Sequence, residues 1–237
     1  MNLIGARAFR DCKSLKQISL PSTISSLGVG AFYSSAIESL EIPELQTTIA
    51  DSLCYGCKSL QSIKVSSKTT TVGKCAFSVC LKLENLTLPD NVSSIGESAF
   101  SDCDSLTSVT IGDSVTTIGD YAFYSCNSLT SVTIPDSVTS IGYYAFYYCS
   151  SLTSVTIPNS VTGIGRYAFG YCSSLKSVYL ASTTPPTLGA NAFQYYENDK
   201  YKNLDCTIYV PSVALDKYKN AENWSGYNIA ENKNELL

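Results

Sequence analysis

Histidine is absent from all 237 residues of the chain. That removes the Ser-His-Asp and Cys-His arrangements, the commonest general base and the commonest zinc ligand. Charge is scarce as well. Asp, Glu, Lys and Arg make up 15% of the residues, against about 25% in ordinary domains. Only 16 residues are basic, they are scattered, and the net charge is −4. Neutralising phosphates takes clustered Lys and Arg, so no nucleic-acid partner is expected, nor attraction to an anionic membrane. No apolar run approaches the ~20 residues a membrane helix needs, so no membrane insertion is expected. The opening MNLIGARAFRDCKSL has no apolar core followed by a cleavage site. The carboxylates recur in no pair that would suit a glycosidase, and no glycine loop suits a phosphate. These absences point away from an enzyme, and no cofactor is expected.

Ser, Thr and a repeat occupy the space that charge leaves. Three stretches align residue for residue: LTSVTIGDSVTTIGDYAFYSCNS from Leu106, LTSVTIPDSVTSIGYYAFYYCSS from Leu129 and LTSVTIPNSVTGIGRYAFGYCSS from Leu152. The period is 23 residues. Cys57, Cys80, Cys103, Cys126, Cys149 and Cys172 keep it without a slip. Phe9, Phe32, Phe77, Phe100, Phe123, Phe146, Phe169 and Phe193 form a second ladder, with Cys54 in the phenylalanine place of the third unit. A fixed period of this length signals stacked coils, each burying its apolar row against the next.

One unit reads as follows. Leu152, Val155 and Ile157 suit a short strand with one buried face. Pro158 ends it, because proline cannot donate to the ladder. Val161 and Ile164 return inward on a second, irregular extended piece. Gly165 suits a tight or left-handed turn, and Ala168, Phe169 and Cys172 fill the far side. The expected fold is an α/β-type repeat solenoid with a parallel strand ladder and a short C-terminal cap. The solenoid spans 1–205 and the cap 206–237. Residues 181–205 are a stretched last repeat, CTIYVP a final strand, and SVALDKYKNAENW a short helix capped by Ser212. Trp224 and Tyr227 are expected to cover the end of the core. NLIGARAFRDC matches the second half of a unit, so the chain is expected to be a piece of a longer protein. A signal peptide and further repeats would then precede it.

The unit L-x-S-V-x-I-P-x-S-V-x-x-I-G-x-x-A-F-x-x-C resembles the BspA-like leucine-rich repeat over residues 3–193. The ending TIYVP…LDKYKNAENWSGYNI resembles the cap of such proteins from gut Bacteroidetes and Firmicutes. The resemblance implies a leucine-rich-repeat right-handed coil and a cell-surface or secreted protein. It implies adhesion to host matrix or plasma proteins, or to bacterial surface proteins. It carries no fixed catalytic residues, so none transfers to this chain.

Three groups of residues are candidates for chemistry or recognition. Of the ten cysteines, those on the ladder are expected to be buried free thiols, since parallel side chains do not face one another as a disulfide requires. Cys54 and Cys57 resemble half a zinc site, but no second pair follows at zinc spacing, and no metal is expected. Cys75 and Cys206 lie off the ladder and are left open. Tyr121, Tyr124, Tyr143, Tyr144, Tyr147, Tyr148, Tyr167 and Tyr171 form a stripe beside Ala-Phe. It reads first as packing of neighbouring coils and second as a surface that could bind carbohydrate. On the strand face, Ser108, Thr110, Ser131, Thr133, Ser154, Thr156, Ser177 and Tyr179 should point outward. Thr favours strands in any case. Functionally, such rows make a hydrogen-bonding platform for an extended ligand. The functions considered are a surface adhesin, a carbohydrate-binding module using the tyrosine stripe, and a structural spacer.

Overall fold

The structure is a computed structural model that describes residues 2–233. It is a solenoid held by parallel strand ladders, as the repeat implies. In the first ladder, Asn85–Thr87, Ser108–Thr110, Ser131–Thr133, Ser154–Ile157, Ser177–Leu180, Thr207–Val210 and Ile229–Glu231 lie side by side in that order. Ser39–Glu41 and Ser62–Lys64 pair at the N-terminal end of the same face. The register is an unbroken 23-residue step over the identical units: Ser108 faces Ser131, Val109 faces Val132 and Thr110 faces Thr133.

The second extended piece is regular too. Seven two-residue strands, from Thr48–Ile49 to Thr187–Leu188, make a second parallel ladder. Each contributes one inward apolar side chain, such as Ile118, Ile141 and Ile164. The irregularity expected there reflects the length of these strands. Two residues are too few for period-two alternation to show in sequence.

The third side of each coil is an arch built around Ala-Phe, and it needs no helix. Alternate residues donate to the following coil. The N–H groups of Tyr121, Phe123 and Ser125 reach the carbonyls of Tyr143, Ala145 and Tyr147 at 2.8, 2.8 and 2.7 Å. The residues between them close locally, with Ala122 donating to Gly119 and Tyr124 to Tyr121. Such alternation places a left-handed residue two positions before and two positions after Phe123, Phe146 and Phe169. Tyr121 and Ser125, Tyr144 and Tyr148, and Tyr167 and Tyr171 all have φ between 55° and 61°. Left-handed backbone is strained for residues with a Cβ, and it persists only where the surroundings over-determine it. Here the inter-coil hydrogen bonds do so.

The repeated glycine opens a tight turn, the Gly165 carbonyl accepting the Ala168 N–H at 3.2 Å, but it is not left-handed. The left-handed positions flank the phenylalanine, as at Tyr144, Tyr148, Tyr167 and Tyr171, and Gly165 is not among them. A Cβ on Gly165 would meet the backbone C and O of Gly142 at 2.5 Å. Glycine is required there because consecutive coils touch backbone to backbone.

The core is a file of phenylalanines. Ring centroids in adjacent coils stand 5.2 to 5.5 Å apart with nearly parallel planes. The file is interrupted at Cys54, where Leu53 occupies the alanine place and restores bulk one position earlier; both are fully buried.

The ladder cysteines have a defined task. The Cys103, Cys126, Cys149 and Cys172 Sγ atoms donate to the carbonyls of Phe77, Phe100, Phe123 and Phe146 in the preceding coil, at 3.1–3.3 Å. Each thiol gives a buried carbonyl a donor; at Phe123 and Phe146 it joins the N–H of Cys126 and Cys149. Cysteine is small, apolar and still a weak donor. All ten cysteines are free thiols. Burial pushes Cys103 and Cys149 up to about 12. Both are therefore protonated at neutral pH and unreactive, since the thiolate is the nucleophile. Cys206, left open by the sequence, is buried, while Cys75 and Cys12 are half-exposed. Thiol titration of the native protein should report Cys12 and Cys75 at most, and denaturation should release the rest. Three or more bonded pairs in a denatured, unreduced sample would contradict this assignment.

The C-terminal part departs from the repeat in two ways. Gln194–Glu197 and Lys200–Asn203 form an antiparallel hairpin. It turns at Asn198 and Asp199, both left-handed at φ 51° and 59°, a pair suited to a two-residue turn. The expected helix begins later than Ser212. Ser212–Ala214 is a 3-10 turn after Pro211, and the helix runs Leu215–Asn220 with no side-chain cap at its start. Pro211 fixes the entry geometry that Ser212 was expected to supply. Thr207–Val210 and Ile229–Glu231 extend the first ladder. Trp224 is buried beside Phe193, and the Tyr227 ring meets Phe193 edge-on at 5.7 Å.

Candidate functional site on the strand face

The residues proposed as a platform lie where the sequence placed them. Ser108, Thr110, Ser131, Thr133, Ser154 and Thr156 are exposed, and Ser177 and Tyr179 are half-buried. Alternation explains this, because Val109, Val132, Val155 and Val178 between them point into the core. Strand pairing assembles two rows. One runs through Asn85, Ser108 and Ser131, then Ser154, Ser177 and Thr207. The other runs through Thr87, Thr110, Thr133, Thr156, Tyr179 and Tyr209. Adjacent members are one rung, about 4.8 Å, apart.

Hydroxyls that hold the coils together can be separated from those that do not. Thr107, Thr130 and Thr153, just before the strands, donate to the preceding coil's carbonyls of Glu84, Thr107 and Thr130. Thr116, Thr139 and Thr162 do the same near the second ladder. In the platform rows, Ser108 donates to Asn85 Oδ1 at 2.9 Å. The side chains of Thr110, Ser131, Thr133, Ser154, Thr156 and Ser177 make no hydrogen bond among the described residues. Their donors and acceptors stay available to a ligand.

The character of the face changes along the rod. At its N-terminal end the outward residues are charged and paired across rungs, Glu41 with Lys64. The middle is hydroxyl only. At the C-terminal end Tyr179 and Tyr209 stack, with centroids 5.1 Å apart and planes 14° off parallel. Beside them lies a groove of about 340 Å³, walled by Thr156, Tyr179, Leu180, Pro211 and Val213. Val213 is 78% exposed, an apolar side chain presented to solvent at the rim. Tyr209 and the groove are what the sequence reading missed. Aligning CTIYVP with LKSVYLA would have placed Tyr209 on the same row as Tyr179. The groove depends on how the 3-10 turn folds back, which no local pattern encodes.

The tyrosine stripe is largely packing. Tyr121, Tyr144 and Tyr167 stack at 4.9 Å intervals, and Tyr124 stacks on Tyr147 at 5.5 Å. The hairpin covers the end of the stripe: the Tyr167 hydroxyl donates to the Tyr201 hydroxyl, and Tyr171 donates to the Tyr196 carbonyl. Among the described residues no group of three or more His, Cys, Asp and Glu could hold a metal ion. No helix among them is long and apolar enough to cross a membrane.

Parallel ladders on a 23-residue step define a leucine-rich-repeat protein. The chain belongs to the BspA type leucine rich repeat family, whose model matches residues 1–107 and 70–200 with six copies of the repeat. Two solved structures are similar to it. A leucine-rich repeat protein from Bacteroides ovatus is 25% identical over 98% of this chain and 76% of its own, with a TM-score of 0.50. The leucine rich repeat protein of T. pallidum is 31% identical over 66% of this chain and 75% of its own, with a TM-score of 0.62. No curated protein matches the chain.

Proposed function

We propose that this chain is a binding protein of the bacterial cell surface or its surroundings, and that it adheres to a host or bacterial protein through the strand face. It is proposed as a binder rather than a catalyst. The observation that carries this reading is the pair of hydroxyl rows without internal partners, ending on the Tyr179–Tyr209 stack and its groove. A rigid parallel sheet holds these side chains in fixed rows, so little side-chain entropy is lost on binding. Tyrosines at the end of such a platform are the kind of large, rigid contact that dominates protein interfaces. Family membership agrees with this reading, because solenoids present extended surfaces for recognition.

The face between Ser108 and Tyr209 carries no charge in its outward rows, so affinity should change little with salt. Pulldown from matrix and bacterial-surface protein fractions tests the proposal. Tyr179→Ala should weaken capture about tenfold or more, the effect of losing an aromatic hot spot. A Thr133→Lys, Thr156→Lys double variant should do the same while circular dichroism stays unchanged. Full binding by both folded variants would remove the site from this face. A steep loss of binding between low and moderate salt would contradict the uncharged mechanism.

A further inference from the structure

The outward position of the second ladder is a hydroxyl in six of its seven strands. Thr48, Thr71, Ser94, Thr117, Ser140 and Thr187 occupy it, and Gly163 takes the remaining place. Nothing in the backbone asks for glycine there. Gly163 does not have a positive φ, and a Cβ built on it would meet open space. Its neighbours Gly142 and Gly165, by contrast, have backbone atoms within 2.5–2.6 Å of any Cβ. A glycine inside a strand is destabilising relative to alanine, because it loses more conformational freedom on folding. At this position the fold gains nothing in return.

What Gly163 produces is a notch. It opens a shallow trough of about 320 Å³, bounded by Ser140, Thr187, Asp120 and Tyr143. Ser140 and Thr187 pair with Gly163 from either side, so their side chains stand two rungs apart, about 9–10 Å. The long wall is the next outward row, where Asp120 and Tyr143 take equivalent places in consecutive coils. Asp120 Oδ1 accepts the Tyr143 N–H at 2.7 Å, which fixes the carboxylate beside the ring. Tyr143 is 57% exposed, the most exposed tyrosine among the described residues. Tyr121, Tyr124, Tyr144, Tyr147, Tyr148, Tyr167 and Tyr171 pack against neighbouring rings, whereas among the described residues no ring packs on Tyr143.

We infer that this notch is a carbohydrate site that takes one pyranose unit of a neutral glycan. The chemistry matches part by part. A pyranose has an apolar C–H face, which an exposed aromatic ring covers, and a rim of hydroxyls that both donate and accept. Tyr143 supplies the ring. Asp120 supplies a fixed acceptor, and Ser140 and Thr187 supply groups that act either way. The glycine floor lets the sugar approach the strand backbone closely. Among the described residues Asp120 is the one charged side chain lining the notch, and it repels carboxylated or sulfated sugars, which selects neutral ones. The trough is open at the surface, as a site for one unit within a longer chain must be. This site lies on a different face from the protein-binding platform, and the two can be tested apart.

The test uses the full chain and four probes: cellotriose, maltotriose, mannotriose and β-1,4-galactotriose. Binding is read by saturation-transfer NMR and by retention on the immobilised sugars. Two variants are compared. Tyr143→Ala removes the ring, and Gly163→Thr fills the floor with the residue that other coils carry. Because open space awaits the new side chain, Gly163→Thr should melt at or above the temperature of the parent, so lost binding is not lost folding. At least one probe should bind the parent, and both variants should weaken it about tenfold or more. Tyr179→Ala should bind that probe as the parent does. Absence of binding to all four probes overturns the inference. So does undiminished binding by Gly163→Thr, which would place any sugar on the ring alone and outside the notch.

Discussion

Phe123→Ala should destabilise the protein by about 3–5 kcal/mol, the range for truncating a fully buried aromatic. Phe123 has no exposed surface. Its ring lies between those of Phe100 at 5.5 Å and Phe146 at 5.3 Å, so the substitution opens a void in the middle of the file. A solenoid has no alternative packing for that space. Each coil touches only its neighbours, and both inter-coil interfaces are weakened together. The arch is held at both ends by hydrogen bonds to the next coil, which prevents collapse into the void. The melting temperature should fall on the order of 10 °C for a chain of this size. Tyr124→Ala, one residue along, is the control. Tyr124 is half-buried and meets the Tyr147 ring at 5.5 Å on the outside of the arch. Its loss should have a much smaller effect in the same denaturant melts. Equal losses would mean that inside and outside of the arch are exchanged.

The contrast between these two neighbours shows how much of the molecule could be read from its residues. Ladder residues were readable because one period of 23 forces the Phe and Cys of successive coils into equivalent places. A single inference about Phe123 therefore holds for Phe100 and Phe146 too. The platform rows were readable for the same reason, since alternation around Val109 and Val132 leaves Ser and Thr only the outer face. What stayed hidden was anything set by hydrogen bonds between coils. The left-handed φ of Tyr121 and Tyr144 is paid for by bonds to residues about 22 places away, and local propensity assigns such backbone to glycine. The thiol-to-carbonyl bonds of Cys126 and Cys149 are equally non-local. The Asn198–Asp199 turn was a local signal, but the stretched repeat around it concealed the hairpin. Gly163 shows the reverse case. Its departure from the repeat was visible in sequence, but only the open space above it separates it from the glycines that close contact requires.

Trp224→Ala should be comparably severe at the C-terminal end, and its effect should stay there. We propose that residues 206–237, of which 234–237 lie outside the described residues, act as a cap, and Trp224 is its anchor among the described ones. The ring is fully buried, meets Tyr218 edge-on at 5.1 Å, and donates Nε1–H to the Pro186 carbonyl at 2.9 Å. Truncation removes about 3–5 kcal/mol of burial and leaves that carbonyl buried without its donor, a further ~1–3 kcal/mol. The cap is also tied to the repeats by the pairing of Thr207–Val210 with Ser177–Leu180 and by side-chain bonds, among them Tyr218 to the Ser182 carbonyl and Asn223 to the Leu188 carbonyl. Interactions in a stacked array extend only to the nearest neighbour, so the loss should open the end without melting the middle. Hydrogen exchange should accelerate across Thr207–Val210 and Ile229–Glu231, while Ser108–Thr110 and Ser131–Thr133 keep their protection. Val213 and Asn232 line the groove beside Tyr179, so the same variant should also weaken any partner held at that end of the strand face. Thr187, one wall of the Gly163 notch, lies between Pro186 and Leu188, so the same loosening should reach the notch on that side, while its Ser140 and Asp120 side stays fixed. Acceleration spread evenly over the whole rod would show that the C-terminal segment is one cooperative unit with the repeats and no separate cap.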